Sequence, residues 1–345
     1  MKALAVEENG ALRIVEIEKQ KINDYQVLVR MLAGGICNGT DAKIIHGKFK
    51  GFHTYPAILG HEGVGEVVEM GRFVENFKLG DHVLCPFQEG MNGPYHSGWG
   101  AFAEYAVCWD WKALVKSGVS QDSPDFPVSA YTQKVIPKDM DPVHGSMMIT
   151  FREVLSAMKT FALQANKSIV IYGCGPVGAS FTKFAKILGL GPVIVCDLTE
   201  ERMQKARDLG ADETFCSTDP DLTGKIRAVC PQGVDYVVDA VGRSQIINQA
   251  MNLVTFNGKI CVYGISPNNS MELDWTNSEY NWQLQFIQWP TKWEEAQAHQ
   301  QVMNWIRSGI LKPEEFYSHV VPFEKILEGF EMTAKQEAFK VMVTF

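Results

Sequence analysis

The stretch from Ile169 to Asp197, "IVIYGCGPVGASFTKFAKILGLGPVIVCD", decides the fold of this chain. Its first four residues form an apolar run, and apolar residues recur at helical spacing after the turn that follows. A glycine pair ends that helix, and a second β-branched run closes on Asp197. The turn contains Gly173, Gly175 and Gly178. The stretch therefore predicts a strand, a glycine turn, a helix and a second strand, which together make a βαβ unit.

This unit has the form that binds dinucleotides. The first glycine permits a tight bend, the second lets the backbone approach a pyrophosphate, and the third lets the helix pack close to the strand. The helix N-terminus then holds the phosphates. Asp197 follows about 20 residues on, where a carboxylate accepts hydrogen bonds from a ribose 2′-OH. A 2′-phosphate would meet that carboxylate with like charge, so the sequence favours NAD over NADP.

Length and composition bound the function. A chain of 345 residues suits two domains. A net charge of −8 provides no large basic surface, so nucleic acid is not an expected partner. No apolar run is long enough to span a membrane, and residues 1–10 lack the form of a signal peptide. We therefore expect a cytoplasmic protein. The eight cysteines are scattered and include no C-x-x-C pair, and we expect most of them to be reduced, buried thiols.

Two kinds of pattern divide the chain. Residues 1–107 contain short strands separated by glycines and an Asn9-Gly10 hairpin signal, which indicates a compact β domain. Residues 109–136 read as a long surface excursion. From about 150 to 290 strands alternate with helices, which predicts a doubly wound parallel sheet. The tail after residue 310 resumes strand, helix, strand, and we expect it to return to the first domain.

Two further strand ends complete the predicted cofactor site. "DAVG" at 239–242 and "YGIS" at 263–266 should lie at the carboxyl edge of the sheet, beside the nicotinamide. Arg202, one helical turn past Asp197, is a candidate contact of the adenosine ribose. The predicted cofactor-binding residues are Gly173, Gly175, Pro176, Val177, Gly178, Asp197, Arg202, Val241 and Gly264.

A candidate metal centre lies in the β domain. "GGICNGTD" at 34–41 and "LGHEGVGEVVEMG" at 59–71 supply Cys37, His61 and Glu62, which offer sulfur, nitrogen and oxygen. Zinc takes these donor types, with three protein ligands and an open position where the site is catalytic. Each residue alone is more often a buried thiol, a core histidine or a surface glutamate.

The combination resembles a known family. Gly60, His61, Glu62, Gly65, Gly71 and Val74 match the signature G-H-E-x2-G-x5-G-x2-V of the zinc-containing alcohol dehydrogenases. The resemblance covers essentially the whole chain and indicates a medium-chain dehydrogenase/reductase, most similar to sorbitol and other polyol or sugar dehydrogenases. It implies an α/β plus β fold with a discontinuous GroES-like catalytic domain, residues 1–148 and 291–345, and a Rossmann NAD-binding domain, residues 149–290. It also implies a homodimer or homotetramer with the cofactor cleft at the domain junction.

The resemblance also implies ligands and a mechanism. In the sorbitol dehydrogenase branch one cysteine and an adjacent His-Glu pair hold the zinc, and Cys37, His61 and Glu62 match those positions. Zinc then polarises the substrate oxygen, and the alcohol carbon gives a hydride to NAD. Thr40, with His46, is the candidate relay for the hydroxyl proton. Phe49, Phe52, Tyr55 and His53 are candidate pocket residues.

Three departures from the family pattern matter. Asn38 adds one residue to the usual C-G-T-D loop, so Thr40 stands one position further from Cys37. The carboxylate that normally precedes the Rossmann domain is replaced at Ile149-Thr150. Residues 86–107 contain no cysteine, so the lobe that holds a structural zinc in many relatives is missing. We therefore expect at most one zinc per chain, weakly retained.

Three alternatives remain open from the sequence. The first is a threonine-type amino-acid dehydrogenase with the same machinery, which would need carboxylate and ammonium partners that the sequence does not locate. The second is a zinc-independent enzyme similar to quinone reductase. The third is a non-catalytic NAD-binding protein on the same fold.

Overall fold

The structure, a computed structural model, describes residues 1–88, 93–268 and 270–345. The strands are β1 (Lys2–Val6), β2 (Leu12–Glu16), β3 (Gln26–Gly35), β4 (Ala57–Ile58), β5 (Gly63–Met70), β6 (His82–Cys85), β7 (His96–Ser97), β8 (Tyr105–Trp109), β9 (Val135–Ile136), β10 (Ile169–Tyr172), β11 (Val193–Asp197), β12 (Glu213–Cys216), β13 (Val234–Asp239), β14 (Val254–Val262), β15 (Trp282–Phe286), β16 (His319–Pro322) and β17 (Val341–Thr344). The α-helices are α1 (Asp41–Ile45), α2 (Trp111–Lys116), α3 (Pro142–Thr160), α4 (Pro176–Ile187), α5 (Glu200–Asp208), α6 (Leu222–Val229), α7 (Ser244–Met251), α8 (Lys292–Gln297), α9 (His299–Arg307) and α10 (Ile326–Ala334). Short 3-10 helices lie at Val128–Tyr131, Pro313–Phe316 and Phe323–Lys325.

The predicted parallel sheet is confirmed. Six strands pair in the order β12-β11-β10-β13-β14-β15, and every pairing is parallel. All four residues of the central strand β10 are buried, as expected for a strand covered on both faces. The strand β15 lies in "YNWQLQFIQWP", residues 280–290, and is the outer strand of this sheet.

Local signals set the helix starts around the glycine turn. α4 begins at Gly175 as N-cap with Pro176 in its first turn, where a missing N–H carries no penalty. α5 begins at Thr199, whose side chain accepts a hydrogen bond from the backbone N–H of Arg202. Acidic residues open α5 and basic residues close it, which suits the helix dipole.

The β-rich part of the chain has two sheets. One has the strand order β2-β1-β4-β7, and the other has the order β16-β17-β3-β5-β6-β9 with β8 also paired to β3. The antiparallel hairpin of β1 and β2 turns at Gly10, whose φ of 81° suits glycine. β3 is the longest strand and pairs with β5, β8 and β17, so it connects both ends of the chain.

The chain divides into two compact units. Unit 1 contains residues 1–149, 291–303 and 312–345, and unit 2 contains residues 150–290 and 304–311. The sequence assigned all of 291–345 to the first domain, but segment 304–311 belongs to unit 2. Trp305 gives the reason, because its ring packs 5.1 Å from that of Phe184 in α4. Before this segment the chain forms α8 and the start of α9, two helices that lie on either side of Ala298.

Residues 109–136 are not the surface excursion that the sequence predicted. They contain α2 and a 3-10 helix, and Phe126 and Tyr131 are buried in a small core with Ala296 of α8. The ring of Trp293 packs 5.2 Å from that of Tyr131. The aromatic residues of this segment, such as Phe126 and Tyr131, indicate packing, but its prolines and serines are typical of a loop. Among the described residues, no helix has the length and apolar character needed to cross a membrane.

Candidate metal centre and cofactor site

Strand pairing brings the three predicted metal ligands together. Cys37 follows the end of β3, and His61 and Glu62 directly precede β5. β3 and β5 are antiparallel with Gly34 opposite Gly63, so the end of one strand meets the start of the other. The backbone N–H of Gly35 donates to the carbonyl of Glu62 at 3.0 Å, which fixes this junction.

The ligand atoms of Cys37, His61 and Glu62 lie within 4.8 Å of one another. His61 Nε2 is 3.9 Å from Glu62 Oε1, and both side chains are almost fully buried. Across residues 1–88, 93–268 and 270–345, this is the one group of three such side chains that could hold a metal ion. Thiolate, imidazole and carboxylate are the donor types that zinc takes, so the residues present fit a zinc ion.

Asp41 supports two of these ligands, and the sequence analysis did not single it out. Its Oδ2 accepts a hydrogen bond of 2.9 Å from the backbone N–H of Cys37, and its Oδ1 lies 3.6 Å from Nδ1 of His61. Asp41 is fully buried at the start of α1. A carboxylate beside one imidazole nitrogen orients the other nitrogen toward a metal. In the sequence, its position four residues after Cys37 in "CNGTD" is the feature that could have indicated this role.

Lys340 is a second contributor that sequence reasoning missed. Its Nζ lies 2.6 Å from Glu62 Oε2, and both side chains are 3% exposed. The same Nζ donates to the carbonyl of Ile36 at 3.3 Å. A lone lysine before a terminal strand carries no local signal, because its partner lies almost the whole chain away.

The charges of this centre shift the pKa of its cationic groups upward. Burial lowers the pKa of His61, but Asp41 and Cys37 raise it by more, and the result is well above the usual value. Burial also lowers the pKa of Lys340, and Glu62 and other neighbours raise it by more. Both shifts have one cause, a pocket whose acidic groups favour positive charge at its centre.

Aromatic rings surround His61. Phe87 lies 6.5 Å away and nearly parallel, and Trp99 lies at the same centroid distance at a steep angle. The rings of the predicted pocket residues Phe49 and Phe52 pack against that of Trp99, at centroid distances of 5.0 and 5.7 Å. The hydroxyl of Tyr55 donates to the carbonyl of Ile44 at 2.6 Å, and His53 is exposed. Trp99, which the sequence analysis missed, is therefore the ring that joins these aromatics to the candidate metal centre.

The two candidate proton-relay residues lie at opposite ends of α1. Thr40 is buried at the N-cap, and its side chain makes no capping hydrogen bond. His46 is exposed at the C-cap, where its backbone N–H bonds to the carbonyl of Ala42.

Two glycines of the turn differ in the space around them: a side chain would fit at Gly175 but not at Gly178. Gly173 has a φ of 92°, in the left-handed region. A Cβ on Gly178 would come within 1.7 Å of the carbonyl oxygen of Gly173, so only glycine permits this helix to start so close to the strand. A Cβ on Gly175 would meet nothing within 4 Å. The open space at Gly175 suits a ligand that approaches the backbone.

Asp197 braces the same turn. Its Oδ2 accepts a hydrogen bond of 2.5 Å from the backbone N–H of Cys174, and its Oδ1 accepts one from Leu198. Arg202 lies in the first turn of α5, which follows Asp197. These contacts position the carboxylate beside the turn.

The other two predicted cofactor residues lie at the same sheet edge. Val241 Cγ2 would lie 2.7 Å from a Cβ on Gly173, and the Val241 side chain is 42% exposed. Oδ1 of the buried Asp239 accepts hydrogen bonds from Val241 and Gly242, and its backbone carbonyl accepts one from Gly264. Burial raises the pKa of Asp239, and the backbone donors lower it by less.

One unit of this chain is β-rich and contains a Cys-His-Glu group, and the other has a parallel sheet with a dinucleotide-binding turn. This combination is typical of two-domain dehydrogenases. Residues 23–118 match the alcohol dehydrogenase GroES-like domain, and residues 176–288 match the zinc-binding dehydrogenase family. The alcohol dehydrogenase of Geobacillus stearothermophilus is 30% identical over 298 residues, 79% of each chain. The chain belongs to the zinc-binding medium-chain alcohol dehydrogenase family, and it is an oxidoreductase of that family.

Other relatives cover nearly the whole length. L-threonine 3-dehydrogenase of Bacillus velezensis is 27% identical over 350 residues, which are 99% of this chain and 98% of that protein. The crystal structure of 2R,3R-butanediol dehydrogenase from Bacillus subtilis superposes with a TM-score of 0.81 at 22% identity, covering 100% of this chain and 99% of that one. This structural likeness shows a common fold.

The two glycines of the turn give a matched pair of variants. We expect Gly178→Ala to lower the melting temperature, because its Cβ meets backbone at 1.7 Å. Gly175→Ala should change the free energy of unfolding by less than about 0.5 kcal/mol and still weaken NAD binding. Thermal melting and NAD titration by fluorescence separate the two effects. Unchanged NAD affinity in Gly175→Ala would contradict the assignment of the open space.

Proposed function

We propose that this chain oxidises a secondary alcohol with NAD, and that the alcohol is of the polyol, sugar or cyclitol type. The observation that carries the proposal is the group of half-buried Cys37 with buried His61 and Glu62 in a chain that also has a dinucleotide-binding turn. Relatives named sorbitol dehydrogenase, from Bacillus subtilis and Bombyx mori, are 26% and 24% identical and support the substrate class. A D-arabinitol dehydrogenase of Uromyces fabae, 23% identical, supports it as well.

In this proposal each residue has a task. A zinc ion held by Cys37, His61 and Glu62 would supply Lewis-acid polarisation of the substrate hydroxyl. Asp41 keeps Nε2 of His61 turned toward the metal position. Thr40, which is buried beside the ligand loop, would relay the proton: its oxygen accepts the substrate's hydroxyl proton as its own hydroxyl proton leaves. His46, exposed at the other end of α1, would release a proton to solvent.

The cofactor residues have a corresponding division of labour. The turn from Gly173 to Gly178, with Pro176 and Val177, would hold the pyrophosphate at the N-terminus of α4. Asp197 would accept hydrogen bonds from the adenosine ribose, with Arg202 nearby. Val241 and Gly264 would line the nicotinamide end, supported by their place beside Gly173 and Asp239.

A second substrate class has a specific observation in its favour. L-threonine 3-dehydrogenase of Bacillus velezensis is 27% identical over 350 residues, whereas the D-arabinitol dehydrogenase that aligns over the same length is 23% identical. An amino acid would need partners for its carboxylate and its ammonium group. A screen of polyols, sugars and L-threonine with NAD, followed at the absorbance of NADH, decides between the two classes.

We also propose one zinc per chain and a cytoplasmic location. The absence of cysteine from residues 86–107 supports a single site. All eight cysteines are free thiols and six are buried, which supports a reducing compartment.

A homo-oligomer is the third part of the proposal. β15 is the outer strand of its sheet, and in the described part of the chain no strand pairs with its other side. Unpaired edges join readily to a second copy of the same chain. Phe286 in this strand is 52% exposed, and nearby Tyr280 is 99% exposed.

Replacement of one ligand tests the metal centre. We expect Cys37→Ser to weaken zinc retention and to lower kcat/KM by more than about 100-fold, since even outer-shell changes cost 10- to 100-fold. Cys216→Ser, at a half-exposed thiol of unit 2, should keep zinc and activity. Elemental analysis and NADH formation are the two measurements. A zinc-free but active wild-type protein would favour the zinc-independent alternative, and NAD binding without turnover would favour the non-catalytic one.

The choice of NAD over NADP depends on Asp197. Loss of its hydrogen bonds in Asp197→Ala should raise the NAD dissociation constant about tenfold or more, because bonds to a charged group contribute about 1.5–3 kcal/mol. The NADP dissociation constant should rise by less, since the like-charge repulsion also disappears. Asp208→Ala, exposed at the end of α5, is the control. Equal changes for both cofactors would count against this role.

The oligomer prediction concerns the outer strand. Phe286→Glu places a charge in the proposed contact and should shift the protein toward monomer. Leu79→Glu, at an apolar residue of unit 1 that is 63% exposed, should leave the assembly unchanged. Light scattering coupled to size exclusion measures the mass of both variants. A wild-type monomer would refute this part of the proposal.

A further inference from the structure

Lys340 contacts the candidate metal centre without being a metal ligand. It pairs with Oε2 of Glu62 at 2.6 Å, while Oε1 of the same carboxylate faces Nε2 of His61 at 3.9 Å. We propose that Lys340 is a positioning residue that holds one carboxylate oxygen of Glu62, so that a bound metal ion receives only the other oxygen. The ion then keeps a coordination position for the substrate. This inference rests on the metal centre of the proposed function.

The fold leaves the ion pair little freedom. A Cβ on Gly35 would lie 2.3 Å from Glu62 Oε2 and 3.1 Å from Lys340 Cε, so the pair lies directly against the bare backbone of β3. β17, which follows Lys340, pairs antiparallel with β3 and sets Met342 opposite Gly35. The carbonyl of Ile36 accepts a further hydrogen bond from Lys340 Nζ. The ammonium group is therefore fixed in direction by the backbone of two paired strands.

Electrostatics gives this pair two consequences. In the metal-free chain Lys340 balances a carboxylate that is 2% exposed, and a buried carboxylate without a partner strongly destabilises a fold. In a metal-loaded chain the same ammonium group would repel a divalent cation bound by Glu62, and burial of the pair would strengthen that repulsion. Lys340 thus stabilises the empty site and weakens metal binding.

The test measures zinc affinity directly, without turnover. The wild type, Lys340→Met and Lys340→Arg are titrated with Zn²⁺ in competition with a chromophoric chelator, and melting is recorded with and without saturating zinc. We expect Lys340→Met to bind Zn²⁺ at least tenfold more tightly, about 1.4 kcal/mol. Its metal-free melting temperature should fall, and saturating zinc should narrow the gap to wild type. Lys340→Arg keeps the charge and should retain wild-type values.

Two further readouts distinguish positioning from simple packing. Visible absorption of the Co²⁺-substituted protein should weaken in Lys340→Met, because a second carboxylate oxygen raises the coordination number. In a Glu62→Gln background, Lys340→Met should change the zinc dissociation constant less than threefold, because the carboxylate on which it acts is gone. The double variant also lacks both buried charges and should fold if Lys340→Met alone does not.

Each result decides the inference. A zinc dissociation constant of Lys340→Met within threefold of wild type, or an equal fall in melting temperature with and without zinc, overturns it. So does a double variant that fails to fold. Zinc binding with an unchanged constant would remove only this inference, whereas a wild-type protein that binds no zinc would remove the proposed metal centre as well.

Discussion

The burial of opposite charges in one pocket is the constraint on which the β-rich unit depends. Asp41 and Glu62 are 0% and 2% exposed, and neither carboxylate could remain there without compensation. The compensating ammonium group of Lys340 comes from the residue directly before the last strand, β17, which pairs with β3. A discontinuous unit is therefore a requirement of the site: without the C-terminal return, Glu62 would lose its counter-charge.

The two sites use glycine for different physical reasons. At Gly178 the backbone of the turn itself excludes a side chain, and at Gly35 the excluded space is occupied by a buried ion pair. The first glycine belongs to a spacing that a reader of the sequence can recognise. The second lies in an ordinary strand, and only the three-dimensional contact shows that its missing side chain matters.

The sequence predicted those parts of the molecule that depend on local pattern. The glycine turn, the parallel sheet and the adjacent His61 and Glu62 are short-range signals, and the structure contains the sheet and brings the ligands together. Lys340 and Trp99 could not be found in that way, since their relation to His61 and Glu62 arises from chain return and side-chain packing. The prediction of a surface excursion at 109–136 was wrong because the segment has many turn residues and only a few aromatic residues, and those few pack into a small core.

Charge balance connects the missing carboxylate at Ile149-Thr150 with the lysine. With a divalent ion bound, a thiolate at Cys37 and the carboxylates Glu62 and Asp41 supply three negative charges, and Lys340 supplies one positive charge. A divalent ion would make the pocket neutral. An additional carboxylate from α3 would disturb this balance, and α3 instead contributes Ser146, whose hydroxyl donates to the backbone carbonyl of Glu62 at 2.5 Å. The lack of a carboxylate at Ile149-Thr150 and the presence of Lys340 therefore both favour a neutral pocket around a divalent ion.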